Sequence, residues 1–276
     1  MMPRRYVIAS GLLVGCLALS FLEWQRQTDG KLHVYIADVG QGDGILIVTP
    51  SGKQILIDGG PDTSLLERIG EHMPMLDRTI ELLILSHPDS DHISALPDVL
   101  RRYDVQQIAL NGTSHMTGRY EALLHLIAAS NIPVILPDPS QNIYLGDGVS
   151  LDILWPEATV FGSKPEAAND ESFVVKLLYR DHSMLFTGDI EEKAEDRILA
   201  LGADLRSDIL KVPHHGSRTS SSTGFLLAIQ PKLAVISAGR ENKFGHPHQD
   251  VLKRYESFGI PIRSTVNEGT ISLVFE

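Results

Sequence analysis

Two imidazoles and two carboxylates fall within one short segment, His87-Pro88-Asp89-Ser90-Asp91-His92, which reads H-x-D-x-D-H. Groups of this kind crowded into one turn repel one another or stay idle unless a cation sits among them. A metal site is therefore the economical reading. The competing reading is a polar turn whose Asp residues cap the next helix. Two further clusters weigh against it, Thr187-Gly188-Asp189 and Pro213-His214-His215-Gly216-Ser217. Like the first, each directly follows an apolar run that reads as a strand. Loops after strands converge at one edge of α/β sheets, where sites form. Cys16 is the single cysteine, so the strong protein ligands available are His, Asp and Glu. Asp38, Asp43 and Asp58 sit in Gly-rich turns and suit turn chemistry. Asp58 is the best candidate for a larger role, orienting a ligand from behind. His115 and His125 have no ligand-like neighbours and read as ordinary surface or helix-face residues.

The elements that must position these residues follow from periodicity. Runs at 33–39, 44–48 and 54–57 read as three successive strands, followed by a helix over 64–73. A buried strand over 80–85 delivers the H-x-D-x-D-H segment, and residues 93–103 have helical spacing. A strand over 105–110, a helix over 119–129 and a strand over 132–136 complete the first half. The second half repeats the theme, with strands over 149–155, 173–179 and 183–186 and a helix over 191–201. Then come a strand over 208–212, a helix over 223–229, a strand over 233–236, a helix over 249–258 and strands over 261–266 and 270–275. A meander followed by strand–helix units, twice over, predicts two sheets packed face to face with helices outside.

Composition narrows the partners. The chain has 276 residues, 43% hydrophobic and 21% charged, with a formal net charge of −11. That balance excludes a broad basic face for duplex DNA, which needs many phosphate contacts. A local cleft can still take a phosphodiester where bound metal inverts the field. Arg4 and Arg5 precede an uncharged run, Tyr6 to Leu22, near the lower limit for spanning a bilayer. The expectation is a single-pass signal anchor over 1–24 and a linker over 25–31. The remaining domain, 32–276, then lies outside the cell membrane. A cleaved signal peptide, or a lipoprotein signal at Leu13-Val14-Gly15-Cys16, is the alternative.

Taken together, the motifs carry a resemblance. Asp38-Val39-Gly40-Gln41-Gly42-Asp43, Ile57-Asp58-Gly59-Gly60, the H-x-D-x-D-H segment, Leu185-Phe186-Thr187-Gly188-Asp189, Lys211 to Ser217 and Gly245-His246-Pro247-His248 resemble the metallo-β-lactamase superfamily. More narrowly, they resemble the extracellular domain of ComEC-type competence (DNA-uptake) proteins. The resemblance implies an α/β fold, a four-layer αββα sandwich, and a hydrolase holding two divalent ions, Mn²⁺ or Zn²⁺ with Mg²⁺ compatible. By position it implies His87 and Asp89 on one metal, Asp91 and His92 on the other, and Asp189 bridging. One of His214 and His215 completes the second site; His215 is preferred, with His214 facing substrate. His246 and Ser217 are candidates for contacts to phosphate or leaving group, and His248 for loop hydrogen bonding. Asp89 stands where hydrolytic relatives have a second His, which favours harder ions. The histidine those enzymes carry between the H-x-D-x-D-H and Gly188-Asp189 motifs has no evident counterpart; Asn169 and Asp170 occupy that region. The full competence proteins also carry a multi-helix membrane channel not seen in this sequence, so DNA transport does not follow from the resemblance.

The chemistry implied is metal-assisted phosphodiester hydrolysis, with single-stranded DNA as the leading substrate. In it Asp91 steers the attacking water and His214 or His246 protonates the leaving oxygen. Lys211, Arg218, Arg240 and Lys243 are expected to form a basic rim. Two readings compete: an exported phosphodiesterase on another substrate, such as a wall phosphocholine esterase, and a non-catalytic, metal-stabilised DNA-uptake module.

Overall fold

The computed structural model describes residues 10–11, 13–15, 17–18, 29–74, 77–113, 117–157 and 168–276. In chain order, β1 (Leu32–Ile36), β2 (Ile45–Val48) and β3 (Gln54–Ile57) form an antiparallel meander. Then come α1 (Ser64–Gly70), β4 (Thr79–Ile80), β5 (Leu82–Leu85), α2 (Ser90–Ile93), α3 (Leu96–Arg102), β6 (Asp104–Val105), β7 (Ile108–Leu110), α4 (Gly118–Ser130) and β8 (Val134–Ile135). The second half opens with β9 (Asn142–Gly146), β10 (Val149–Trp155), β11 (Val174–Tyr179) and β12 (His182–Phe186). It continues through α5 (Glu192–Leu201), β13 (Ile209–Lys211), α6 (Thr223–Ile229), β14 (Leu233–Ile236), α7 (Gln249–Ser257), β15 (Ile262–Ser264), α8 (Thr265–Glu268) and β16 (Ile271–Phe275). One sheet has the order β16-β1-β2-β3-β5-β7-β8 and the other β15-β14-β13-β12-β11-β10-β9.

Side-chain alternation along these strands divides the core into three bodies. Ile45, Ile47, Ile55, Ile57, Leu82 and Ile84 of the first sheet meet Leu151, Ile153, Val175, Leu177 and Phe186 of the second. Their neighbours Leu46, Leu56, Leu83 and Leu85 face outward onto Leu65, Ile69, Leu96, Val99 and Tyr120 of α1, α3 and α4. On the other side, Val174, Leu185 and Leu210 pack on Ala194, Ile198, Phe225, Leu226, Val251 and Tyr255 of α5, α6 and α7. Helix, sheet, sheet and helix stack in that order, the αββα sandwich expected from the motifs. The strands of each sheet nearest the motifs, β3-β5-β7 and β12-β13-β14-β15, are parallel. Their C-terminal ends therefore open on the same side, with both faces of each strand buried.

Several local expectations shift. The helix expected over 93–103 starts at Ser90, so Asp91 and His92 lie on a helical turn, and it breaks before resuming at Leu96. The strand expected over 105–110 divides: β6 pairs with β4, and only β7 joins the main sheet. β9 was not expected. It pairs with β10 through Asp147 and Gly148, both at positive φ. The strand expected over 261–266 ends at Ser264, whose side chain caps α8 by accepting from Val266 N.

Of the expected anchor, residues 10–11, 13–15 and 17–18 are helical and exposed; the rest of it, and residues 25–28 of the linker, lie outside the described residues. Among the described residues no helix is long and apolar enough to cross a membrane. His115 and residues 158–167 of the loop after β10 are likewise outside them, while His125 is exposed on α4 as expected.

Candidate metal centre

Five strand ends supply the site. Asp58 follows β3, the H-x-D-x-D-H segment follows β5, Asp189 follows β12, His214 and His215 follow β13, and Ser237 to His248 follow β14. The backbone is bent hard at three of these positions: Asp58, His214 and His215 have φ of 62°, 49° and 55°. Non-glycine residues adopt this region at a cost and cluster at functional sites. Gly42 brings the β1–β2 loop against the metal turn so closely that a Cβ there would lie 2.1 Å from Asp91 O. Gly188 (φ 51°) is wedged between Ser172 and Ser86, where a Cβ would approach the Ser172 side chain to 2.8 Å.

Asp91, His92, Asp189 and His215 each present one ligating atom, and these atoms lie within 4.8 Å of one another. Asp189 Oδ2 is the centre. It lies 3.3 Å from both His92 Nε2 and His215 Nε2, 3.9 Å from His214 Nε2 and 4.0 Å from His87 Nε2. His215 Nε2 is also 3.6 Å from Asp91 Oδ2, and His87 Nε2 is 3.9 Å from Asp89 Oδ2.

The imidazoles are gripped from behind. His92 Nδ1 donates to Asp58 Oδ2 (2.8 Å), and His215 Nδ1 donates to the Ser237 carbonyl (2.9 Å). Ser86 Oγ gives its proton to Asp58 Oδ2 (2.6 Å), so its 3.0 Å contact with His87 Nδ1 must be one in which it accepts. The proton of neutral His87 is thereby fixed on Nδ1, and its Nε2 is a bare lone pair. The Nε2 atoms of His87, His92 and His215 and Oδ1 of Asp189 are all buried without a hydrogen-bond partner among the described residues. Buried polar groups are seldom left so. Metal-binding histidines characteristically have the other ring nitrogen held this way. The residues present fit a divalent cation.

Electrostatics agree. Burial, then the neighbouring His92, pushes His87 well below the ordinary imidazole value, so it is neutral. Burial opposes charge on His92, but Asp189 and Asp58 outweigh it and hold the ring well above that value. For His215 the same contest, with Asp189 and Asp43 on the winning side, ends at about 9. Asp91 falls to about 2: burial raises it, but the nearby His215 ring, 3.6 Å away, and the His92 charge prevail. His246 drops to about 4 through burial and the nearby His214, His215 and His248.

His214 and His215 are now told apart: His215 is buried in the cluster, whereas His214 is partly exposed with Nδ1 3.2 Å from Glu191 Oε1. The His246 ring stands 5.3 Å from that of His214 and 6.3 Å from that of His215. His248 has the loop role expected, its Nδ1 accepting from Arg218 N (3.2 Å). The Ser217 hydroxyl is engaged with Thr219 Oγ1 (2.9 Å) in its own turn. Asn169 and Asp170 support rather than ligate. Asp170 Oδ1 accepts from Glu191 N (3.1 Å), and the Asn169 carbonyl accepts from Ser172 Oγ, which in turn accepts from Asp189 N.

Lys211 departs from expectation. It is fully buried between the sheets with Nζ 2.6 Å from Asp43 Oδ2, so of the four residues expected at the rim only Arg218, Arg240 and Lys243 are exposed. Asp43 Oδ1 lies 3.5 Å from His215 Nδ1, which ties this ion pair to the site. Asp38 keeps a turn role, its Oδ1 accepting from Gly40 N.

A model of the metallo-beta-lactamase superfamily matches residues 37–240. The chain belongs to this superfamily. It is 27% identical to ComE operon protein 3 of Bacillus subtilis over 96% of its length and 35% of that protein. It is 30% identical to Competence protein ComA of Neisseria gonorrhoeae over 88% of its length and 32% of that protein. The chain thus spans about a third of the length of these curated relatives. The metallo-beta-lactamase fold protein YhfI from Bacillus subtilis is similar in fold, with a TM-score of 0.59 at 12% identity over 88% of this chain and 99% of that one. The superfamily consists largely of metal-dependent hydrolases, in keeping with the ligand set here.

Asp58 can be tested apart from the ligands. It receives the Ser86 N–H (2.7 Å), the Ser86 hydroxyl and His92 Nδ1. Asp58→Asn weakens metal retention about 10- to 100-fold, the usual cost of losing a partner behind a ligating histidine. Metal content after dialysis against graded chelator measures it; wild-type retention would remove Asp58 from the site.

Proposed function

We propose that this chain is a metal-dependent phosphodiesterase, a nuclease acting on single-stranded DNA, held outside the cell membrane by its apolar N-terminal run. The supporting observation is the ring of buried, unpartnered Nε2 atoms around Asp189. His87, Asp89 and Asp189 would hold one cation, and Asp91, His92, Asp189 and His215 the other. Bound there, divalent ions supply an activated water and charge stabilisation for phosphate oxygens.

The chain's own residues do the rest. Asp91, held ionised, orients the attacking water. His214, partly exposed and backed by Glu191, is placed to give a proton to the leaving oxygen. His246, kept neutral at physiological pH, serves as a hydrogen-bond donor to phosphate rather than as the acid. Arg218, Arg240 and Lys243 attract a polyanion to a protein whose overall charge is −11. Oxygen-rich ligation by Asp89, Asp91 and Asp189 favours Mn²⁺, with Zn²⁺ and Mg²⁺ as the alternatives. The competence protein among the relatives supports DNA as the substrate class.

The test is hydrolysis of single-stranded oligonucleotides and bis-p-nitrophenyl phosphate with added Mn²⁺. Chelation is expected to abolish turnover, and Asp91→Ala to lower kcat by about 10²-fold or more. Equal rates for wild type and Asp91→Ala would remove the catalytic assignment and leave a metal-stabilised module. Turnover confined to phosphocholine esters in a wider panel would reassign the substrate.

A further inference from the structure

We propose that Phe244 is a base-stacking platform at the mouth of the site, seating the nucleobase next to the phosphate held by His246. The inference rests on the single-stranded DNA reading and adds to it a subsite and a preference for base-bearing substrates.

Phe244 is 50% exposed and lies beside the polar cluster. Its ring lies nearly parallel to that of His246, with centroids 5.7 Å apart and an interplanar angle of 22°. His246 is in turn 5.3 Å from His214, whose Nε2 is 3.9 Å from Asp189. A line of rings thus runs from the ligands to solvent and ends in Phe244. The loop that carries it is braced. Asn242 Nδ2 donates to the carbonyls of Gly239 (2.7 Å) and His246 (2.6 Å), while its Oδ1 accepts from His246 N (2.9 Å). A platform fixed in this way loses little entropy when a ligand stacks on it.

Charge chooses the occupant. Lys243 Nζ stands 5.0 Å from the Phe244 ring centroid, while Arg240, exposed in the same loop, donates from Nε to the Val266 carbonyl of α8. A second cation, such as a choline headgroup, would be repelled from a ring that an ammonium already faces. A neutral base would not, and the phosphate next to it would meet Lys243. Aromatic stacking flanked by cations is the usual means of holding single strands without reading their sequence.

Fluorescence anisotropy tests this, using chelator-treated protein at fixed ionic strength. The probes are labelled oligothymidylate and an abasic strand with the same phosphate backbone. Phe244→Ala is expected to weaken oligothymidylate binding about 5- to 150-fold, the range for one stacked base. Phe244→Trp should match or exceed wild type. The abasic strand should bind more weakly than oligothymidylate and equally to all three proteins. Equal oligothymidylate affinity for wild type and Phe244→Ala, or an equal loss on the abasic strand, overturns the platform. So does wild type that binds the two probes alike or binds neither. The hydrolysis assay with Mn²⁺ is read separately, so DNA cleavage with an indifferent Phe244 leaves the phosphodiesterase reading intact. Absence of cleavage removes that reading whatever Phe244 does.

Discussion

Asp189→Ala lowers the stability of the metal-free protein by about 3–5 kcal/mol at pH 7 and abolishes metal retention. Asp189 Oδ2 faces both His92 and His215, at 3.3 Å from Nε2 of each. Burial works against charge on both rings, yet the surrounding carboxylates keep His92 well above its ordinary pKa and His215 at about 9. Two buried imidazolium rings therefore face this carboxylate at neutral pH. Deleting it leaves His92 to Asp58 and His215 to Asp43 and Asp91, and removes the carboxylate that stands between two like charges, a costly way to damage a buried ion-pair network. The rings can escape by releasing protons, so the loss should shrink towards pH 9. Urea denaturation of both proteins at pH 7 and 9 measures it, and mass spectrometry gives metal content. A loss below about 1 kcal/mol at pH 7, or wild-type metal content, would displace Asp189 from the centre.

What the sequence made legible was what lies close together along it. The H-x-D-x-D-H spacing is local, and each ligand cluster follows an apolar run, so both the ligands and the shared sheet edge could be read. The groups behind the ligands come from distant segments. Ser237, which holds His215, carries no signal in its own neighbourhood. Ser86 adjoins the motif, yet its part depends on Asp58, 28 residues away. Lys211 precedes the histidines in sequence, a position that suggests the rim. Period-two alternation gives the better answer: Leu210 and Val212 face the helices, so Lys211 must point between the sheets, where Asp43 meets it. β9 escaped notice because Asn142-Ile143-Tyr144-Leu145-Gly146 is a largely exposed edge strand without a buried apolar run. The preference for His215 over His214 rests on burial and distance, which spacing does not reveal: His215 is enclosed 3.3 Å from Asp189, and His214 is partly exposed at 3.9 Å.

The two halves of the centre should respond to pH in opposite ways. His215 has a folded pKa of about 9 against an ordinary 6.5. Its stabilisation of the metal-free protein is fully present below pH 6.5 and is lost as pH rises through 9. That loss amounts to about 3 kcal/mol, taking 1.36 kcal/mol per pKa unit. His92, also raised, acts with the same sign. His87, lowered, contributes stability above pH 6.5 that is lost as pH falls towards its folded value, and Asp91 contributes stability lost as pH falls through about 2. Metal-free protein should therefore become less stable between pH 7 and 9. A cation entering among Asp91, His92, Asp189 and His215 must displace two protons, so its affinity should rise by about 100-fold from pH 7 to 8 and less steeply towards pH 9, where His215 itself loses its proton. A cation at His87 and Asp89 meets a lone pair already bare, and its affinity should stay nearly level. Chelator competition at pH 7, 8 and 9, with thermal unfolding of the metal-free and loaded protein, separates the two. Equal pH slopes for both ions, or metal-free stability that climbs from pH 7 to 9, would contradict the protonation pattern. If it holds, the carboxylate that retains the protons is also the one that retains the metal, and alkaline pH exchanges one positive charge for the other.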